Sequence, residues 1–68
     1  MANTNATPVT TLLGKRIELL EAFQGSTKHV TGTVLAVVVA APGAAVSEAV
    51  LVGKDFYHLE DCQLLRVW

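Results

Sequence analysis

The stretch His29–Ala41, HVTGTVLAVVVAA, sets the tightest limit on what this chain can become. Thr31 and Thr33 alternate with Val30 and Val34, so the segment begins as a strand with one wet face. Gly32 then falls on the inner face in mid-strand. A glycine inside a strand marks a sharp bend or a close approach of another backbone. A small sheet that curls on itself needs such a bend. From Val34 onward both faces are apolar, with Val34, Ala36 and Val38 on one and Leu35, Val37 and Val39 on the other. A strand apolar on both faces is buried on both faces. In so short a chain, one of those faces is expected to meet another subunit.

The remaining segments are arranged around this strand by their turn chemistry. Lys15–Ala22 sets Arg16 and Glu18 against Ile17 and Leu19, which is the alternation of a first strand. Gln24-Gly25-Ser26-Thr27 is a turn in which Gly25 supplies a positive φ, and the bent strand starts near Lys28. Ala41-Pro42-Gly43-Ala44 suits a type II turn. A third strand follows over Val46–Val52, a hairpin turn at Gly53-Lys54-Asp55 and a short fourth strand over Phe56–Leu59. Glu60-Asp61-Cys62 reads as a single helical or 3₁₀ turn, and Gln63–Trp68 as a fifth strand. Residues 1–11 read as a flexible tail, because Asn, Thr and Ala around one proline offer nothing to pack. Thr10–Leu13 has the makings of one threonine-capped helical turn ended by Gly14. The fold class predicted is all-β: one five-stranded antiparallel small barrel over residues 12–68, after a short helical or disordered N-terminal segment.

Composition turns this architecture towards self-association. A domain of 68 residues buries a limited share of its surface and needs a support. Cys62 is the sole cysteine, so no internal disulfide supplies it. Hydrophobic residues make up 51% and charged ones 16%, against roughly 25% charged in a typical soluble domain. A homo-oligomer, a ring among its forms, is the support these numbers favour. The net charge of −1 lacks the basic footprint of a dedicated nucleic-acid binder. The first residues, MANTNATPVT, lack the charged start and apolar centre of a signal peptide. The longest apolar run, Val34–Ala41, is far short of the ~20 residues that span a bilayer. The expectation is a cytoplasmic protein without a membrane partner, a compartment that suits a lone cysteine.

Three segments carry a family resemblance. Leu13-Gly14-Lys15-Arg16-Ile17-Glu18-Leu19 and Val30-Thr31-Gly32-Thr33-Val34-Leu35-Ala36-Val37 resemble the first strand and the glycine-bent second strand of the Sm-like small barrel, the fold of Sm, Lsm and bacterial Hfq proteins. Tyr57–Val67 looks like that family's short fourth and fifth strands, separated by one turn. The resemblance implies a ring-forming barrel that binds RNA. The chain departs from the family where RNA is held. Val38–Gly43 has neither the Asp nor the Asn that the family carries after its second strand. Glu60-Asp61 stands where the family places Arg-Gly, or else Tyr57-His58 aligns with the bacterial Tyr-Lys-His, displaced by one residue. Two carboxylates in place of a guanidinium repel phosphate.

Few residues offer chemistry. His29, His58 and Cys62 are the soft-metal ligands, with no Cys-x-x-Cys or His-x-x-x-His pair, so no metal site and no cofactor are expected. A Cys62–His29 or Cys62–His58 nucleophilic pair is disfavoured, because Glu60 and Asp61 oppose a thiolate. No catalytic residue is assigned. Lys15, Arg16, Lys28 and His29 lie on strands that pair across the Gly25 turn, and read either as a basic edge for RNA phosphates or as a solvated face. Tyr57 and His58 read either as a base-stacking pair or as a core tyrosine beside a solvent-facing histidine. Leu35, Val37, Val39 and Trp68 are the candidate subunit interface. The function these readings favour is a non-enzymatic, self-associating interaction module. An Sm-like RNA binder, using the basic edge or an oligomer pore, is the alternative.

Overall fold

The computed structural model describes residues 8–68, and residues 1–7 lie outside that range. Five antiparallel strands follow one another: β1 (Arg16–Phe23), β2 (Ser26–Val38), β3 (Ala49–Val52), β4 (Asp55–His58) and β5 (Cys62–Val67). Two 3₁₀ turns complete the set, Val9–Leu12 ahead of β1 and Leu59–Asp61 between β4 and β5. The strand order is β4-β3-β2-β1-β5. No ladder joins β4 to β5 among the described residues, so the sheet is open, where a closed barrel was expected. The strands that would have to meet are the two edge strands, and both are short. β4 has four residues and β5 has six, and a 3₁₀ turn separates them.

β2 is the spine of the fold. Its first part pairs with β1, from Ser26 opposite Phe23 to Thr33 opposite Arg16. Its second part pairs with β3, from Val34 opposite Val52 to Val38 opposite Ala49. The hand-over falls beside Gly32, and the reason is steric. A Cβ at Gly32 would lie 2.6 Å from Cγ1 of Val52, so only a glycine lets β3 come this close. Val34 is fixed on its other side as well: its N–H donates to the Lys15 carbonyl and its carbonyl accepts from Gly14 N–H, both at 2.9 Å.

The core sits inside the curl and comprises Val9, Leu12, Ile17, Leu19, Val30, Val34, Val50, Val52 and Tyr57. Val9 is 2% exposed, so the tail read over residues 1–11 gives way by residue 9 to an ordered turn that covers one end of the core. That turn is entered from Pro8 and has no side-chain cap. The register shifts between Val34 and Ala36, which makes Leu35 a bulge. The bulge changes the phase of alternation. Val37 lies opposite Val50 and packs on the core, while Leu35 turns outward at 60% exposure. Strict alternation had put Leu35 and Val37 on one face, and the bulge separates them. The third strand is also shorter than the sequence implies, since residues 46–48 join no ladder. The turn at Pro42-Gly43 forms as read, with Gly43 at φ 79° and Ala44 N–H donating to the Ala41 carbonyl at 3.0 Å.

Candidate functional site

The four residues of the predicted basic edge do not assemble. Antiparallel pairing sets Arg16 opposite Thr33, whereas Lys28 is opposite Glu21 and His29 opposite Leu20. Arg16 and Lys28 therefore stand at opposite ends of the hairpin, roughly 17 Å apart along the strand at 3.3–3.4 Å per residue. His29 is taken up by a hydrogen bond between its Nε2 and the Glu18 carboxylate. Lys28 Nζ donates to Tyr57 Oη at 3.3 Å and lies 5.4 Å from the centroid of its ring. The hydrogen bond to Tyr57 is the leading cause that raises the Lys28 pKa; the negative charge of an ionised Tyr57 hydroxyl, Asp55 and Glu21 add to it, against a desolvation penalty. Tyr57 itself is 5% exposed and belongs to the core, so its ring is not available for stacking on a base. His58, its neighbour, is exposed.

Arg16 is gathered elsewhere, in a group that includes a residue the sequence reading passed over. The Arg16 guanidinium lies 5.2 Å from the centroid of the Trp68 ring, and that of Arg66 lies 4.5 Å from it. Trp68 is held in place because its N–H donates to the Arg16 carbonyl at 2.9 Å, one step beyond the end of β5. Among the described residues neither guanidinium makes an ion pair, although Arg66 sits opposite Glu18 in the β1–β5 ladder. A guanidinium lying on a ring keeps its in-plane N–H donors free for an oxyanion. The signal for Arg66 was present in the sequence: positions 66 and 68 share a face of any regular strand.

The opposite end of β5 is acidic. Glu60 and Asp61 form the turn just before it, and Glu21 faces Cys62 from β1. Glu60 and Asp61 border a shallow cleft of 320 Å³, lined also by Leu20, Ala22, Cys62 and Gln63. Burial pushes the Cys62 thiol up to about 11, and Glu21 and Asp61 push it the same way. At neutral pH it is a thiol and not a nucleophilic thiolate. Among the described residues, no three His, Cys, Asp or Glu side chains converge as metal ligands would. No helix among them is long and apolar enough to cross a membrane.

Of the predicted interface residues, Leu35, Val39 and Trp68 are exposed and Val37 packs against the core. Other large apolar side chains share their exposure, among them Phe56 on β4 and Leu64, Leu65 and Val67 on β5. Comparison with protein-family models, with curated proteins and with solved structures returns no match.

Proposed function

We propose that this chain is a non-enzymatic, self-associating interaction module of the cytoplasm, built on an open, curled Sm-like sheet and working as a homo-oligomer. The observation that carries the reading is the pair of sheet edges, β4 and β5, unpaired among the described residues, with Phe56 exposed on the first and Leu64, Leu65 and Val67 on the second. An unpaired strand edge is a template for another strand. Apolar surface of this extent on a small domain marks an interaction site. The Sm-like assignment is supported by the long β2 with Gly32 at its bend and by the 3₁₀ turn that separates the short β4 from β5. Light scattering at micromolar concentration tests the proposal. A mass well above the 7.2 kDa of one chain is expected, and a lone monomer overturns it. Leu35→Asp, at an exposed position, should reduce the mass if the β2 bulge takes part, with the circular dichroism of the sheet unchanged.

A second reading is RNA binding, and the free guanidiniums of Arg16 and Arg66 are what favour it. Each chain offers few such charges, so affinity would come from repetition around an oligomer. It would also fall steeply with salt. Titration of labelled U-rich and A-rich oligonucleotides at physiological salt separates the two readings.

A further inference from the structure

We propose that two copies of this chain pair through β5, antiparallel and edge to edge about a two-fold axis, with the Arg16–Trp68–Arg66 group of each copy seated at the Glu60–Asp61 cleft of the other. This rests on the self-association reading and names its surface.

Among the described residues, β5 is hydrogen-bonded on one side only, to β1. Its other side leaves N–H and C=O groups free for a further strand. Leu64, Leu65 and Val67 are exposed along it. The strand is also electrically polar. Glu60, Asp61 and Glu21 crowd its start, and Arg66 and Arg16 crowd its end. Such an edge complements a second copy of itself in one sense only. Running antiparallel, acid meets base at both ends, whereas running parallel, like meets like.

The faces agree with this choice. Leu65 is an extra residue between the Glu18–Arg66 and Leu19–Leu64 pairs and shifts the alternation of β5, so a two-fold axis between Leu64 and Leu65 sets Cys62 against the partner's Val67. Gln63 then meets the partner's Arg66, and Asp61 the partner's Trp68. Cys62 packs towards the core, and Val67 is paired with the buried Ile17, so both belong to the inner face. Gln63 is paired with Leu20 and Arg66 with Glu18, so both belong to the outer face. The cleft floored by Leu20 and Ala22 lies on that outer face, rimmed by Glu60 and Asp61. The arriving indole is 48% exposed in the single copy and brings two cations with it. Because the contact is isologous, every favourable pair is made twice. The apolar side chains and the new ladder supply the attraction, and the charges select its direction. β4 offers a shorter edge, four residues long, on which Phe56 is the large exposed apolar side chain.

Trp68 is the sole tryptophan, so its emission reports on this interface without ambiguity. Mass and emission maximum are measured against concentration for the wild type, for Arg16→Glu/Arg66→Glu, for Glu60→Arg/Asp61→Arg, and for the quadruple variant. The wild type should form a dimer, its emission shifting to the blue as the dimer fills. Each double variant should raise the dissociation constant about tenfold or more, since both ends lose attraction and gain repulsion. An equal mixture of the two doubles should restore a heterodimer. The quadruple variant, which keeps the wild-type net charge, should restore the homodimer and thereby show that the doubles had not simply misfolded. An assembly indifferent to these exchanges, or one larger than a dimer, overturns the β5 pairing and leaves self-association standing. A monomer at every concentration overturns both. A monomer that binds U-rich oligonucleotide, and loses it in Arg16→Glu/Arg66→Glu, gives the cationic group to nucleic acid and overturns the proposal.

Discussion

The two ends of β2 belong to unlike half-sheets. On one side lie β1 and β5, with strands of eight and six residues and an outer face carrying Arg16, Glu18, His29 and Arg66. On the other lie β3 and β4, four residues each, with the apolar row Ala36–Leu51–Phe56 facing outward. A long hairpin holds its register through its ladder and tolerates a charged exterior. Short strands depend on what lies beneath them, here Val50 at 0% exposure with Val52 and Tyr57. The two halves meet where β2 changes partners. The molecule should therefore be most sensitive at that junction and much less so at its turns and its surface.

The junction is the place to break this arrangement. Gly32→Val sets a branched side chain where a lone Cβ already lies 2.6 Å from Val52 Cγ1. Val52 is β-branched and stiff at χ1, so it cannot swing aside easily. A loss of about 3 kcal/mol is expected from urea unfolding, on the scale of overpacked cores. Gly32→Ala should cost less, and Val52→Ala in that background should recover part of the loss. Additive effects of Gly32→Ala and Val52→Ala would mean that the two halves are not in contact there.

The comparison also shows what a sequence discloses. Gly32, the Pro42-Gly43 turn and the alternation of Ile17 and Leu19 were legible, because each rests on local sterics or on a period of two. The bulge at Leu35 was not, because it answers to the change of partner along β2, and an alternation pattern is blind to that. The burial of Val9 was hidden for a similar reason. A tail of small polar residues gives no sign that one valine closes the end of a core built from residues far along the chain. At the candidate site, Arg16 and Lys28 were identified, but Arg66 and the grouping were not. Register sends Arg16 to Trp68 and Lys28 to Tyr57, and register is a property of the assembled sheet.

A gentler probe lies in the connection between β2 and β3. Gly43 has φ 79° with nothing within 4 Å of the position a Cβ would take, so Gly43→Ala tests backbone strain alone. A cost of about 1 kcal/mol is expected from moving a non-glycine residue into the left-handed region. The half built on β3 and β4 should feel it first. Amide exchange at Val50 and Leu51 should accelerate more than at Leu19 and Leu20 if the halves are unequally anchored. Equal acceleration would show a single cooperative unit.

The smallest effect expected is on pH dependence, and it belongs to the charged half. Cys62 opens β5, and its thiol is raised from an ordinary value of 9.0 to about 11, by burial first and by Glu21 and Asp61 after it. Below pH 9 both folded and unfolded chains keep this proton, and the group contributes no slope. Between about 9 and about 11 the unfolded chain releases the proton while the folded chain retains it, so stability falls across that window. Cys62→Ser is the control: the slope lost in that variant is the thiol's share. The same shift predicts slow alkylation by iodoacetamide at neutral pH relative to the urea-unfolded chain, because the thiolate is the reactive form. Glu21→Gln with Asp61→Asn should lower the thiol's titration midpoint but leave it above 9, since burial is the leading cause. If the folded thiol reacts as fast as the unfolded one and titrates near 9, β5 opens freely at its acidic end. Cys62 would then regain its standing as a nucleophile.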